Sequence, residues 1–221
     1  MTRHTKILFL VIGVFIIIVG ILFATQFSTF LRITTRVKTT PLVSAEYYPI
    51  AVTVDDPTIG NPGAAIEIIE FVDLGDNRSK EIHTTISTFV RAHPQEVRLV
   101  WKDFPMQSIL LGNNNAAHVA AWCAFKQTPN KFWGYTDKLL EKNSNLKPQG
   151  LENVATELKL DTIIWQRCVA SPEANDHLKT NITVGQGAGL SRAPGLFINS
   201  KRINIDEVDL SQMLESLLTT P

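Results

Sequence analysis

One stretch of the chain decides the fold: Ile66-Glu67-Ile68-Ile69-Glu70-Phe71-Val72-Asp73-Leu74-Gly75-Asp76-Asn77-Arg78-Ser79-Lys80-Glu81-Ile82-His83. Its first part, within residues 65–72, is an apolar run rich in β-branched side chains, which predicts a buried strand. Its second part continues over residues 77–92 with apolar side chains at helical spacing, and Pro94 follows the helix as a stop signal. The chain therefore passes from a buried strand through a short loop into a helix.

The rest of the chain completes an α/β pattern. A strand predicted over residues 97–101 forms a parallel strand–helix–strand unit with the first two elements. Apolar periodicity then predicts five helices without an intervening strand, near residues 114–126, 131–142, 149–158, 162–170 and 173–185. Residues 195–198 and 202–205 predict a hairpin, because three residues separate them. An amphipathic helix over residues 210–218 ends the pattern.

The N-terminus carries an apolar run over residues 7–24 that contains no charged side chain. At about 1.5 Å per residue, a helix over this run is just long enough for the core of a bilayer. We predict a transmembrane signal anchor at residues 7–25, with residues 1–6 in the cytoplasm and the membrane as a partner. A cleaved secretory signal stays open as an alternative, because a basic start precedes the run.

Composition separates the N-terminal part from the remainder of the chain. Residues 26–49 are rich in Thr and interrupted by Pro, which is typical of a linker, and residues 50–54 predict a short strand at the entry to a domain over residues 50–221. Of the 21 Lys and Arg residues, five lie in residues 1–38, whereas all 21 Asp and Glu residues follow them. The domain is therefore mildly acidic, and nucleic acid is not expected as a partner, since its binding needs a basic surface.

Six short pieces of sequence follow one another in a recognisable order. They are Val54-Asp55-Asp56-Pro57 with Gly60, Glu70-Phe71-Val72-Asp73, the run from Val97 to Pro105, Ala120-Ala121-Trp122-Cys123-Ala124, Phe132-Trp133 and Ala193-Pro194-Gly195-Leu196-Phe197-Ile198-Asn199. In this order they resemble the DsbA-like family of extracytoplasmic thiol oxidoreductases. The resemblance implies a thioredoxin-like fold with a helical insertion at about residues 106–188. It also implies a domain outside the cytoplasm, which the span predicted at residues 7–25 would hold at the cell membrane.

The chain departs from this family at the start of the helix over residues 77–92. The resemblance places a Cys-x-x-Cys pair there, but the sequence reads Asp76-Asn77-Arg78-Ser79. Thiol–disulfide exchange needs an attacking thiolate and a second thiol, and neither a carboxylate nor a hydroxyl supplies them. We therefore expect no catalytic residue at Asp76 or Ser79, and no cofactor. Asp76 is instead expected to cap the helix, where its charge suits the positive end of the helix dipole.

Two other chemistries remain open for the same stretch. A hydrolytic site would use Asp73, Asp76, Ser79 or His83, but the sequence has no nucleophile elbow. A metal site would use the same Asp and His residues, but no spaced set of three or four ligands occurs. No metal is therefore predicted.

The two cysteines, Cys123 and Cys168, lie 45 positions apart on different predicted helices. Apolar neighbours at helical spacing, such as Val119 for Cys123 and Ile164 for Cys168, predict that both side chains point inward. The resemblance implies a structural disulfide between them, and two buried free thiols are the alternative. A thiol oxidoreductase that acts through these cysteines, or through those of a partner, is the alternative function.

Pro194 matches the cis-proline of thioredoxin folds. The resemblance implies that its loop faces the helix start and leaves backbone groups free to pair with an extended peptide. Ala193, Pro194 and Asp76 are therefore the candidate peptide-binding residues. The function predicted from the sequence is a membrane-anchored, extracytoplasmic module without a redox pair, which binds a peptide or a protein partner.

Overall fold

A computed structural model describes residues 19–23, 43–106, 115–141 and 146–219. The chain divides into two units, Met1–Thr40 and Pro41–Pro221. In the first unit, residues 19–23 are helical. Within the described ranges, no helix has the length and apolar character that crossing a membrane requires. The anchor predicted at residues 7–25 lies mostly outside these ranges and stays a prediction. The cytoplasmic location of residues 1–6 also stays a prediction, because these residues lie outside the described ranges.

Six strands of the second unit form one mixed sheet in the order β1-β6-β5-β3-β4-β2. Their bounds are β1 Val43–Tyr47, β2 Thr58–Gly60, β3 Ile66–Val72, β4 Val97–Asp103, β5 Gly195–Ile198 and β6 Lys201–Ile203. The two strongest sequence predictions, β3 and β4, are parallel and pair from Ile66 opposite Val97 to Val72 opposite Asp103. Both strands are almost entirely buried, as expected for a parallel pair that is covered on both faces.

Seven helices of the second unit surround this sheet in the described residues. They are α1 Asn77–Ala92, α2 Asn115–Gln127, α3 Pro129–Glu141, α4 Pro148–Glu157, α5 Thr162–Val169, α6 Pro172–Gly187 and α7 Leu210–Thr219. Each agrees with its predicted range to within about two residues. Helices α2 to α6 lie between β4 and β5, which confirms the thioredoxin-like order and the predicted helical insertion.

The prediction fails before β3. Residues 50–54 form no strand, because a turn folds them: the Thr53 N–H donates to Asp56 Oδ2 at 2.6 Å, and the Asp56 N–H donates to Thr53 O at 3.2 Å. The strands of this region are instead β1, inside the predicted linker, and β2. Each lies at one edge of the sheet and pairs with a strand distant in sequence, so neither shows a local signal.

The helical insertion is joined by the predicted disulfide. Cys123 on α2 and Cys168 on α5 are bonded, with their Cα atoms 5.7 Å apart. Cys123 is buried, but Cys168 is only partly so, and Ile164 is 51% exposed, so the expected apolar face of α5 is wrong. This short helix buries only Trp165, whose Nε1 donates to Ala120 O at 3.0 Å.

Candidate functional site

The start of α1 carries oxygen atoms where the resemblance places thiols. Asp76 is the N-cap, and its Oδ2 accepts hydrogen bonds from the Ser79 N–H at 2.7 Å and from Ser79 Oγ at 2.9 Å. Ser79 Oγ also accepts the Asp73 N–H at 3.3 Å. The predicted cap is therefore confirmed, and the two side chains bond to each other and to the helix start.

Asp73 organises the loop between β3 and α1. Its Oδ1 accepts the Gly75 N–H and its Oδ2 accepts the Met106 N–H, both at 2.8 Å. Its backbone carbonyl accepts the Asp76 N–H at 3.1 Å. One buried carboxylate thus fixes both the loop that leads into α1 and the segment that follows β4. The side chain of Met106 is 47% exposed beside this loop.

The Pro194 loop lies at the same end of the sheet. The Ala193–Pro194 peptide bond is cis, as predicted. Gly195 pairs with Phe71 in antiparallel register, so Pro194 lies opposite the end of β3, next to the loop that Asp73 organises. Ala193 and Pro194 are half-buried, and no described residue forms a hydrogen bond with the backbone of Ala193. The structure therefore brings the three candidate binding residues to one end of the sheet.

Two buried histidine–carboxylate pairs lie beneath this end. In the first, His83 Nδ1 is 2.6 Å from Glu70 Oε1, and His83 Nε2 is 3.5 Å from Asp137 Oδ1. Burial alone lowers the pKa of His83, but the carboxylates of Glu70 and Asp137 outweigh it and raise the pKa to about 9. His83 therefore joins α1 to β3 and faces α3, and both ring nitrogens are directed at carboxylates rather than at Ser79.

In the second pair, His118 Nδ1 is 2.7 Å from Asp103 Oδ1, which also accepts the Trp101 Nε1–H at 2.8 Å. His118 Nε2 accepts the Leu74 N–H at 3.2 Å. Burial opposes the charged form of each group. The attraction between them nevertheless lowers the pKa of Asp103 and, with help from Asp73, raises the pKa of His118 to about 9.

A third buried pair uses the neighbour of Asp103 on β4. Lys102 Nζ is 2.7 Å from Asp56 Oδ2, and both side chains are almost fully buried. Neither this pair nor the partners of His83 and His118 had been predicted from the sequence. The sequence does contain one signal for these pairs, which is an ionisable residue in an apolar segment. Glu70 and Lys102 interrupt apolar strands, and His118 lies in an Ala-rich helix.

These contacts bear on the hydrolytic and metal interpretations. Ser79 Oγ bonds to a carboxylate, and the His83 ring nitrogens face carboxylates, so no nucleophile–base pair forms between them. Within the described ranges, no group of three or more His, Cys, Asp or Glu residues could hold a metal ion.

Comparison with known proteins places this geometry in a family. The model of a family described as thioredoxin matches residues 52–216. A thioredoxin-like oxidoreductase from Silicibacter pomeroyi superimposes with a TM-score of 0.64 at 23% identity, over 76% of this chain and 95% of that one. Oxidised BdbD from Bacillus subtilis gives a TM-score of 0.64 at 18% identity, over 75% and 94% of the two chains.

Two further relatives widen the comparison. The thiol-disulfide exchange protein α-DsbA2 from Wolbachia pipientis has a TM-score of 0.64 at 15% identity, over 74% of this chain and 88% of that one. A Na⁺/H⁺ antiporter NhaA from Nitrosospira multiformis is 23% identical over 164 residues, which are 74% of this chain but only 26% of the antiporter. The chain thus spans about a quarter of that relative. From the family match and these neighbours, the chain belongs to the thioredoxin family and has a DsbA-like fold.

Proposed function

We propose that this protein is a membrane-anchored, extracytoplasmic DsbA-like module that binds extended peptide segments and does not exchange thiols. The observation that carries the proposal is the bonding of Asp76 to Ser79 at the start of α1. Oxygen atoms that complete a helix cap occupy the two positions where a redox pair would be. The only two cysteines of the chain are bonded to each other in the helical insertion.

The end of the sheet offers features that suit a peptide. The backbone of Ala193 is free of hydrogen bonds from the described residues, so it can pair with an extended segment. The exposed side chain of Met106 offers an apolar contact nearby, and methionine adapts well to varied partners. Asp73 holds Gly75 and Met106 in place, so the groove between them and Ala193 is ordered before any peptide arrives.

Two observations support a place at the outer surface of a membrane. A disulfide persists in oxidising compartments outside the cytoplasm, and residues 7–25 have the length and composition of an anchor. The similar region of a Na⁺/H⁺ antiporter supports a role beside membrane proteins. Protease added to intact cells or spheroplasts should degrade the domain, whereas complete protection would place it inside.

A redox assay tests the missing chemistry. The full-length protein in detergent should not catalyse insulin reduction or dithiol oxidation. Asp76→Cys with Ser79→Cys should gain some exchange activity, because two thiols would then lie one turn apart at the positive end of α1. Adding Cys123→Ala and Cys168→Ala to this variant should leave the gained activity in place. Turnover by the wild type that disappears in Cys123→Ala/Cys168→Ala would instead establish the alternative function, a thiol oxidoreductase acting through its other cysteines.

A binding assay tests the groove. We expect the anisotropy of a fluorescent, alkylated insulin B chain to rise with the full-length protein and to be reduced by Ala193→Arg. Ala170→Arg, at an exposed position after α5, is the matched control and should bind as the wild type does. A B chain methylated on its backbone nitrogens should bind weakly, since main-chain pairing needs their hydrogens. Equal loss in both arginine variants, or equal binding of the methylated peptide, would contradict a backbone-pairing groove.

A further inference from the structure

We propose that the buried Asp103–His118 pair is a proton-controlled regulator of the peptide groove. It would act by changing which hydrogen bonds hold the loop of residues 73–76. This inference rests on the proposed function, because the loop forms one side of the groove. The observation that carries it is the position of His118 Nε2, which lies between the Leu74 N–H, a donor, and the Asp73 carboxylate, an acceptor.

One side of the His118 ring is fixed. Its Nδ1 is 2.7 Å from Asp103 Oδ1, and the indole Nε1–H of Trp101 holds the same oxygen at 2.8 Å. The ring is fully buried, so it cannot turn toward solvent. A change in its protonation state must therefore be accommodated at the other nitrogen, Nε2.

That nitrogen has two neighbours on the loop. The Leu74 N–H lies 3.2 Å away and donates to Nε2, which requires the lone pair of a neutral ring. Asp73 Oδ1 lies 3.9 Å away, beyond hydrogen-bonding distance in this arrangement. A protonated ring reverses these relations, since Nε2–H repels the Leu74 N–H and attracts the Asp73 carboxylate.

The consequence reaches both segments that form this side of the groove. Asp73 Oδ1 already accepts the Gly75 N–H, and its Oδ2 accepts the Met106 N–H. A new bond from His118 would compete with the first of these and pull on the second. The buried Leu74 N–H would also lose its acceptor inside the protein, and an unpaired buried donor favours movement of the loop.

The charges around the ring set the pH range of this change. Asp103 faces it from β4 and Asp73 from the loop, while His177 of α6 lies 3.9 Å from Asp103 Oδ2. The charges of the Lys102–Asp56 ion pair act on His177 in turn. Burial lowers the pKa of His118, the two carboxylates raise it to about 9, and the Leu74 N–H favours the neutral ring. We therefore expect the transition above the ordinary value of 6.5.

His83 does not share this property. It is paired with Glu70 in the same way, but its Nε2 faces the side chain of Asp137 rather than the loop. Protonation of His83 therefore affects the attachment of α1 to α3 and not the groove. This contrast makes the proposal specific to one histidine.

The test follows the ring and the loop together in the full-length protein in detergent micelles. Nitrogen-15 NMR of the histidine rings against pH should show a transition at His118, and the Leu74 and Gly75 amides should shift with the same midpoint. His118→Gln should abolish the amide transition, and His93→Gln, a half-buried position at the end of α1, should leave it unchanged. Loop amides that do not follow the His118 ring in the wild type would overturn the proposal, even if His118→Gln failed to fold.

Peptide affinity provides the functional measurement. The wild type should bind the alkylated insulin B chain at least about fivefold more tightly above the His118 midpoint than below it, as is typical of coupled sites. His118→Gln should remove this dependence on pH. Equal affinity on both sides of the midpoint would contradict regulation of the groove. A B chain that binds at no pH would contradict the proposed function itself, while the ring and amide transitions would still establish whether His118 moves the loop.

Discussion

The helical insertion and the α1 region are held together by different chemistry. In the insertion, a covalent bond joins α2 to α5 and large apolar side chains fill the space between the helices. At α1, the cap formed by Asp76 and the buried pair Glu70–His83 bind the helix start and the sheet through charges and hydrogen bonds. Cysteine is thus present in the insertion, where it joins two helices, and absent from the start of α1, where a redox pair would react. The link between α2 and α5 should therefore respond to reductant, whereas the attachment of α1 to the sheet should respond to pH.

The largest expected effect tests the insertion. Cys123→Ala with Cys168→Ala should lower the free energy of unfolding by about 4 kcal/mol, because the disulfide closes a loop with a sequence separation of 45. Urea unfolding with and without reductant measures the effect. Reductant should destabilise the wild type and leave the double variant unchanged. A double variant as stable as the wild type would mean that packing alone holds α2 and α5 together.

The second prediction tests the α1 region. His83→Leu should lower the free energy of unfolding by about 3 kcal/mol, because Glu70 would remain buried without its partner. Glu70→Leu together with His83→Leu removes both charges and should recover most of the loss. Urea unfolding of the single and double variants forms the measurement. Equal stability of the two variants would show that the pair is not coupled.

The third prediction concerns pH. The pKa of His83 is raised from 6.5 to about 9 in the folded protein, so its contribution to stability is complete below pH 6.5 and is lost as the pH rises through about 9. The free energy of unfolding should therefore fall by about 3 kcal/mol across this range. Glu70→Leu/His83→Leu should show a smaller fall, whereas Cys123→Ala/Cys168→Ala should keep the slope of the wild type.

The two regions also differ in how far their features could be predicted from the sequence. Apolar runs and helical spacing identified β3, β4 and α1, because these elements bury regular faces. The family resemblance, rather than any local pattern, predicted the disulfide and the cis bond at Pro194. The histidine pairs could not be predicted, because each joins a helix to a strand in a register that only the folded chain defines.

The smallest effect on stability is expected at Asp76. This residue also decides whether the start of α1 is a helix cap or a working part of the groove. Asp76→Ala removes the acceptor of the Ser79 N–H and should lower the free energy of unfolding by about 1 kcal/mol, which corresponds to about 2–4 °C in Tm for a protein of this size. Asp76→Asn keeps a good capping oxygen without the charge, so its Tm should stay close to that of the wild type. Both variants should bind the alkylated B chain as the wild type does, because the groove contacts are expected from the backbone of Ala193. If Asp76→Asn instead abolished binding at an unchanged Tm, the carboxylate would be a working residue of the groove and its role as a cap would be secondary.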